Sequence, residues 1–145
     1  MPNSPDIAQV RELIDAYIVT LDRREYDAWL ALFTPDGYYA VLREVELRQD
    51  NNVVLIGEDM KRLRGRVSSG TERDPRRTVH MVSGIRVAES AEQASASFAL
   101  WYDGVSTYAG RYLFKLSSAG GSLRIRHATV VLDNDMIHQP IYLPI

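Results

Sequence analysis

The chain has 145 residues, of which 46% are hydrophobic and 25% are charged, values typical of a single globular domain spanning residues 1–145. The formal net charge of −2 argues against general electrostatic attraction to nucleic acid or to an anionic membrane. The absence of cysteine excludes disulfides, thiolate nucleophiles and cysteine-held zinc or iron–sulfur sites. The chain has three histidines, His80, His127 and His138, which offer few ligands for an intrinsic metal centre.

The first third of the chain is predicted to form a helical hairpin. Ser4, as N-cap, with Pro5 and Asp6 is typical of a helix start, and apolar residues recur at steps of three and four up to Leu21. This helix should end between residues 22 and 24. A second helix over residues 26–33 is expected to end at the turn residues 35–37.

The middle of the chain is predicted to mix short elements. Residues 38–42 suit a strand, residues 43–52 suit a loop or an irregular hairpin, and residues 53–56 form a short apolar run. Helical spacing returns over residues 57–69, with Gly70 as the expected stop.

The second half of the chain shows strand patterns joined by short polar turns. Strands are predicted over residues 78–88, 94–102, 108–116 and 123–132, and residues 137–143 could extend the last of them. An antiparallel meander that follows helices predicts an α+β domain whose sheet wraps around the helices. The absence of a signal-peptide pattern or a long apolar run leads us to expect a cytoplasmic protein that spans no membrane.

Alternation along the strands predicts which sheet face meets the helices. Ile125, His127 and Thr129 share one parity and are expected to face the core, whereas the opposite parity mixes apolar residues with arginines. An arginine-bearing face suits contact with another protein. The candidate subunit-interface residues are Arg77, Trp101, Arg111, Arg124 and Arg126.

Aromatic residues and two histidines form a candidate pocket between helices and sheet. Its members are Tyr17, Trp29, Tyr39, His80 and His127. His80 shares its parity with Val82, Gly84 and Arg86, the less apolar side of its strand. It could act as an acid or base, or anchor a ligand, but a structural histidine is the more common finding. Such aromatic residues are also more often core than cavity lining.

Residues 61–77 hold seven basic and two acidic side chains. The segment could bind nucleic acid, form a solvated helix face, or pair with an acidic protein surface. Arginine outnumbers lysine by 15 to 2 in the chain, and arginine is enriched at protein interfaces. We therefore expect a protein partner rather than a nucleic acid.

The order of elements resembles the NTF2-like (SnoaL-like, cystatin-like) superfamily, a cone of three N-terminal helices packed in a strongly curved antiparallel or mixed sheet. Within it, the sequence resembles the small (β) subunit of Rieske-type aromatic-ring-hydroxylating oxygenases. The passages that carry this likeness are LDRREYDAWLALF at residues 21–33, RTVH at 77–80 followed by Val82-Ser83, GRY at 110–112, LRIR at 123–126 and VVLD at 130–133.

The resemblance implies a non-catalytic subunit that supports a large α subunit, commonly as an α3β3 hexamer. The Rieske [2Fe–2S] cluster and the mononuclear Fe(II) are then expected in that partner, and no cofactor in this chain. Residues 93–97 and 141–145 resemble small subunits of oxygenases acting on single-ring aromatic carboxylates. The chain is somewhat short for the family, and its hairpin near Asp103-Gly104 is trimmed. In isolation, a homodimer or homotrimer is expected.

A stand-alone dehydratase or isomerase on the same fold is the alternative, with a small-molecule-binding or purely oligomeric module as a third hypothesis. Tyr17 suits the tyrosine of a steroid-isomerase-like enzyme, but the expected base has no carboxylate near Ala40-Val41. A dehydratase would instead need an aspartate close enough to His80 to form an acid–base pair.

Overall fold

The computed structural model describes residues 6–50 and 53–145 of the chain. The elements in chain order are α1 (Ile7–Asp22), α2 (Tyr26–Leu30), β1 (Phe33–Arg43), α3 (Glu44–Arg48), β2 (Ile56–Asp59), α4 (Met60–Arg73), β3 (Thr78–Val87), β4 (Gln93–Tyr102), β5 (Val105–Ser117) and β6 (Arg124–Leu132). None of the helices in these two ranges is long and apolar enough to cross a membrane.

Helix α1 begins with a capping box rather than with the predicted serine cap. The Asp6 side chain accepts a hydrogen bond from the Ala8 main chain, and the Gln9 side chain accepts one from the Asp6 main chain. These contacts satisfy donors that the first helical turn leaves free. Ser4 and Pro5 lie outside the described residues. The predicted end of the helix is confirmed, since α1 ends at Asp22.

Helix α2 is shorter than predicted, because the residues expected to form its last turn lead into a strand instead. The helix ends at Leu30, and Phe33 begins β1 by pairing with Ile125 of β6. The Leu32 carbonyl accepts a hydrogen bond of 2.8 Å from the Ile125 main chain. The prediction of a helix through Phe33 is therefore wrong, and the predicted turn at residues 35–37 is an irregularity inside β1.

The segment between β1 and β3 also differs from its prediction. Part of the expected loop over residues 43–52 forms α3, where the Arg43 and Glu46 side chains form an ion pair. Residues 57–59 were predicted to be helical but belong to β2, which pairs with β1. Helix α4 consequently starts at Met60, and it runs through Gly70 to Arg73 instead of stopping at that glycine.

The six strands form one mixed sheet in the order β2-β1-β6-β5-β4-β3. The four strands β3 to β6 make the predicted antiparallel meander, and β1 lies parallel to β6. Strands β2 and β3 are the edges, so the sheet is not closed. We call the face that packs against the helices the inner face and the opposite one the outer face.

Irregular pairing in β6 corrects the predicted assignment of its faces. Lys115 pairs with His127 but Leu116 pairs with Ile125, so Arg126 is an extra residue in β6. The extra residue reverses the alternation, since a period-two pattern changes face at a bulge. Ile125 therefore faces inward as predicted, whereas His127 faces outward and Ala128 takes the inner position.

The predicted extension of the sheet by residues 137–143 is also wrong. Residues 133–145, which we call the tail, form no strand or helix. The tail packs against α4 instead, where Arg66 Nη1 donates a hydrogen bond of 3.4 Å to the Ile141 carbonyl. Leu143 and Ile145 at its far end are buried and belong to the hydrophobic core between the helices and the inner face.

Candidate functional site

The space between the helices and the sheet is filled with aromatic rings. Tyr17 of α1 lies 5.5 Å from Trp29 of α2 between ring centroids, and Trp29 lies 5.7 Å from Tyr39 of β1. Tyr17 also contacts Tyr112 at 5.3 Å, and Tyr112 stacks on Phe98 at 4.4 Å. We call these five residues the interior cluster. Three members of the candidate pocket, Tyr17, Trp29 and Tyr39, thus lie together with no exposed area.

Ile145 occupies the end of the interior cluster that is bounded by Tyr17 and Tyr39. The Tyr17 hydroxyl donates a hydrogen bond of 2.9 Å to the main-chain oxygen of Ile145, and the Tyr39 hydroxyl donates a second one of 3.2 Å. The Ile145 main-chain N–H donates in return to the Tyr39 oxygen at 2.9 Å. Ile145 has no exposed area. The tail therefore supplies the polar partners of both tyrosines.

His80 lies next to the interior cluster and has a carboxylate partner. Its ring centroid is 6.5 Å from that of Phe98, and its Nδ1 atom is 2.5 Å from Oδ1 of Asp22, the last residue of α1. The Asp22 carboxylate also accepts hydrogen bonds of 3.0 Å from the His80 main chain and from the Thr78 hydroxyl. Three bonds to one carboxylate thus join the end of α1 to the edge strand β3.

The electrostatics of Asp22 fix which ring nitrogen of His80 carries the proton. Burial alone would raise the pKa of Asp22, but the hydrogen bonds from His80 and Thr78 outweigh it and lower that pKa. An ionised carboxylate only accepts hydrogen bonds, so Nδ1 must be the donor. The Nε2 atom is buried and has no hydrogen-bond partner among the described residues. An aspartate-oriented imidazole with one free nitrogen can act as an acid or a base.

The sequence predicts His80 on the less apolar side of its strand. The structure explains why polar and apolar residues share that side. His80 and Val82 face inward, but Gly84 adopts a positive φ of 62° and the pairing register shifts between Ser83 and Arg86. Arg86 is therefore exposed although it shares a parity with His80. Asp22 was missed as the partner because 58 residues separate it from His80.

His127 does not join the other candidate pocket residues. On the outer face its ring lies 5.9 Å from that of Tyr38, beside an open groove of about 780 Å³ that Lys115 also lines. Partial burial lowers the pKa of His127, and the positive charges of Lys115 and Arg126 lower it further. His127 therefore belongs to a basic region of the outer face.

The candidate interface residues all lie on the outer face or at strand ends. Arg77, Arg124 and Arg126 are exposed, and Trp101 is half-buried. Arg111 forms an ion pair of 3.1 Å with Glu44 of α3, so part of its charge is compensated within the chain. These five residues do not form one continuous patch, because strand β5 lies between Trp101 on β4 and the arginines of β6.

An apolar patch surrounds Trp101 near the free edge of the sheet. Val79 pairs with Trp101, and Met81 pairs with Ala99, so these four residues share the outer face of β3 and β4. Val79 is 57% exposed and Met81 is 64% exposed. We call Val79, Met81, Ala99 and Trp101 the outer patch. Exposed apolar side chains at an unpaired sheet edge are typical of a surface that another protein covers.

The basic segment at residues 61–77 is partly neutralised within the chain. Arg66 pairs with Glu58 at 2.6 Å, and Arg76 pairs with Asp74 at 2.8 Å. The guanidinium of Arg76 also lies 4.2 Å from the centre of the Tyr102 ring. Two of the seven basic side chains therefore have structural partners, which leaves a weaker positive surface than the sequence indicates.

Residues 6–50 and 53–145 contain no group of three or more histidine and acidic side chains arranged to hold a metal ion. The chain also has no cysteine for an iron–sulfur cluster. The donor set described here therefore does not fit the Rieske cluster or the mononuclear iron that the resemblance implies for the larger complex.

Comparisons with known proteins give consistent matches. The sequence model of the family described as "Ring hydroxylating beta subunit" matches residues 17–139. The 2-halobenzoate 1,2-dioxygenase small subunit of Burkholderia cepacia is 25% identical in an alignment 140 positions long, and the alignment covers 83% of this chain and 84% of that protein.

Solved structures of similar proteins share the fold. A beta subunit from Novosphingobium aromaticivorans DSM 12444, assigned to an aromatic-ring-hydroxylating dioxygenase, matches with a TM-score of 0.77 and 23% identity over 90% of each chain. The beta subunit of benzoate 1,2-dioxygenase from Burkholderia mallei ATCC 23344 matches with a TM-score of 0.72 and 21% identity, covering 94% of this chain and 96% of that one. Other matching structures are described as cystatin-like or NTF2-like, which confirms the predicted fold class.

Proposed function

The chain belongs to the ring-hydroxylating beta subunit family, and from that membership we propose that it acts as the assembly subunit of an aromatic-ring-hydroxylating oxygenase. Its partner is a large α subunit that carries the Rieske cluster and the mononuclear iron, in an α3β3 complex. The family match over residues 17–139 is the observation that carries this proposal. The lack of cysteine agrees with a division of labour in which the other chain holds the redox groups.

The outer patch is the best candidate for contact within this complex. It combines exposed apolar side chains with a half-buried tryptophan. Tryptophan side chains are common at the centres of protein interfaces. Arg77 precedes β3 at the border of this patch, where a polar rim is expected. The arginines of β6 and the basic region around His127 form a second, polar contact area.

Co-expression with a Rieske-type α subunit encoded beside this chain tests the proposal. The two chains should co-purify, and the complex should hydroxylate its aromatic substrate faster than the α subunit alone. The proposal is wrong if the two chains do not associate and the α subunit alone is fully active.

A matched pair of methionine variants tests the contact surface. Met81→Glu places a charge in the outer patch and should weaken association by at least about tenfold, because a buried unpaired charge is strongly unfavourable. Met136→Glu changes an equally exposed methionine of the tail, 68% against 64%, and should leave association unchanged. Equal loss in both variants would exclude the outer patch as a specific contact.

The substrate class of the complex is a finer part of the proposal. We infer a single-ring aromatic carboxylate, because the similar small subunits belong to enzymes named for 2-halobenzoate and benzoate. The reconstituted complex should therefore turn over benzoate and halobenzoates in preference to unsubstituted hydrocarbons such as naphthalene. A complex that prefers naphthalene would contradict this assignment.

The Asp22–His80 pair favours a second candidate function, an acid–base enzyme or a small-molecule-binding protein on the same fold. The pair has the carboxylate partner that a dehydratase needs, and Nε2 of His80 has no hydrogen-bond partner among the described residues. His80→Gln would then abolish a turnover or binding activity of the isolated chain while leaving oxygenase assembly intact. If that variant lowers only thermal stability, the pair is structural.

A further inference from the structure

Two rows of outer-face side chains line the open groove beside His127. Their members are paired across the sheet: the first row holds Arg86, Ser95, Leu113 and Thr129, and the second holds Lys115 and His127. Neighbouring strands lie about 4.8 Å apart, so the first row, which crosses four strands, spans about 14 Å. We call the groove lined by these six residues the basic groove.

The basic groove carries positive charge that is not balanced within it. Arg86, Lys115 and His127 line it, and no acidic side chain of the described residues does. Arg86 and Lys115 also form no ion pair within residues 6–50 and 53–145. An adjoining depression, which shares Lys115 and His127, adds Arg126 and one acidic residue, Glu92. Because the whole chain has a net charge of −2, this positive surface is a local feature and not a result of composition.

The pKa of His127 reports the same excess of positive charge. Partial burial lowers that pKa, the charges of Lys115 and Arg126 lower it further, and the carboxylate of Asp36 in β1 opposes them with a smaller effect. A group that enters the groove therefore meets a positive field that the nearest carboxylate does not cancel. Negatively charged groups are the expected occupants.

We propose that the basic groove receives an extended acidic segment of the partner α subunit. The inference rests on the proposed assembly role and adds to it the chemistry of the segment that the partner presents. Clusters of basic side chains commonly recognise acidic motifs, because guanidinium and ammonium groups form charge-assisted hydrogen bonds with carboxylates. The hydroxyl groups of Ser95 and Thr129 supply further donors between the charged side chains.

The position and shape of the groove favour a protein segment over a free small molecule. Ser95 lies on the same face of β4 as Ala99 of the outer patch, four residues along the strand, which is a distance of about 14 Å. A standard protein interface covers about 800 Å² on each partner, so one partner that covers the outer patch also reaches the groove. Small ligands are usually enclosed over most of their surface, whereas this groove is open.

An extended chain has the geometry to match these charges. At about 3.4 Å per residue, four or five residues span the first row, and alternate side chains point to the same side. Acidic residues at alternate positions would therefore face the groove together, with one near Arg86 and another near Lys115. Reversal of one charge in the groove removes an attraction and adds a repulsion, and like charges brought together at an interface are strongly unfavourable.

The two lysines of the chain provide a matched test. Lys115 lies in the basic groove and Lys61 lies on α4, and both are exposed. Lys115→Glu and Lys61→Glu change the net charge by the same amount. Lys115→Glu should raise the dissociation constant for the α subunit at least about tenfold, whereas Lys61→Glu should change it by less than about twofold. Biolayer interferometry with the α subunit immobilised measures both constants.

Salt and a milder variant complete the test. Lys115→Gln removes the charge without reversing it and should weaken association about threefold, so it decides the question if Lys115→Glu does not fold. Added salt should weaken association of the unchanged chain more than that of Lys115→Gln, because salt screens the charge that the variant lacks. Equal weakening by the Lys115 and Lys61 reversals, or association that salt leaves unchanged, would overturn the acidic segment while the assembly role stands. If the unchanged chain and the α subunit never associate, the assembly role fails and the inference fails with it.

Competition distinguishes a protein segment from small anions. An acetylated peptide of five residues that alternates glutamate with valine should displace the α subunit, because its carboxylates are linked at the spacing of the groove. A peptide with glutamine in place of glutamate should not displace it. A glutamate peptide that competes no better than the glutamine peptide would overturn the proposal. Acetate or benzoate that competes as well as the glutamate peptide at equal carboxylate concentration would instead assign a small-anion site, and the proposal would be wrong.

Discussion

Removal of the Asp22 carboxylate should destabilise the fold strongly, although the residue sits at the end of a helix where a negative charge is unfavourable. Its three hydrogen bonds to Thr78 and His80 hold α1 against β3. In Asp22→Ala the main-chain N–H and the ring N–H of His80 lose their acceptor in the interior. Each buried donor left without an acceptor costs about 1–3 kcal/mol.

Two smaller effects act in the opposite direction. Loss of a negative charge at the C-terminus of α1 gains about 0.3–1 kcal/mol, and alanine is the better helix former by about 0.5 kcal/mol. The net loss for Asp22→Ala should therefore be about 3 kcal/mol. Asp22→Asn keeps one acceptor oxygen and should lose about half of that. A small domain typically loses about 2 kcal/mol of stability per molar urea, so Asp22→Ala should unfold at roughly 1–2 M lower urea than the unchanged chain.

Urea unfolding of the variants measures this difference directly. Asp15→Ala is the control, because Asp15 is an exposed aspartate of the same helix and its loss should change stability by less than about 0.5 kcal/mol. If Asp22→Ala unfolds at the same urea concentration as Asp15→Ala, the hydrogen bonds to β3 do not stabilise the fold and the reasoning is refuted.

The same pair has a predictable dependence on acid. The pKa of Asp22 is lower in the folded chain than its unfolded value of about 3.9, because its hydrogen bonds outweigh the effect of burial. The carboxylate therefore contributes its full stability above about pH 4, and that contribution disappears as the pH falls through the folded pKa. The difference in unfolding free energy between the unchanged chain and Asp22→Asn should shrink over that acid range. A constant difference down to full protonation would contradict the shift.

Three further outcomes are expected from other parts of the fold. Gly110→Ala should prevent folding or cost more than about 3 kcal/mol, because an added Cβ would lie 1.9 Å from the main-chain oxygen of β6; circular dichroism and urea unfolding measure it. The three tyrosines of the interior cluster have raised pKa values through burial, so ultraviolet titration should show them ionising only as the chain unfolds in alkali. Since the unfolded chain loses these protons near pH 10, stability should fall above that pH. Arg76→Lys should lower the free energy of unfolding by about 1 kcal/mol in thermal unfolding, because it removes the two-pronged hydrogen bonding to Asp74 and the contact with the Tyr102 ring. Arg73→Lys should leave the stability unchanged.

The order of elements and the fold could be predicted from the sequence because they follow from local patterns. The apolar spacing of α1 and the alternation in β4 and β5 are each contained within one element. The errors occur where a distant partner decides the outcome. Phe33 was predicted to be helical but pairs with β6, and residues 57–59 were predicted to be helical but pair with β1.

The candidate site was predictable only in part, for the same physical reason. Tyr17, Trp29 and Tyr39 lie on the apolar faces of their elements, so their convergence follows from helix and strand periodicity. The outward position of His127 depends on an extra residue in β6, which no alternation pattern reveals. The pairing of Asp22 with His80 and the contact of Ile145 with Tyr17 join residues 58 and 128 positions apart. Such contacts are set by the assembled sheet and not by local sequence.

The filled interior distinguishes the two candidate functions. An acid–base enzyme must bring a reacting atom within hydrogen-bond reach of Nε2 of His80, and this requires open space beside the ring. The His80 side chain has no exposed area, and Ile145 fills the far end of the interior cluster. An assembly subunit needs no such space and gains stability by filling it, at about 25 cal/mol for each Å² of apolar surface buried. The packing therefore favours the assembly role over an acid–base enzyme.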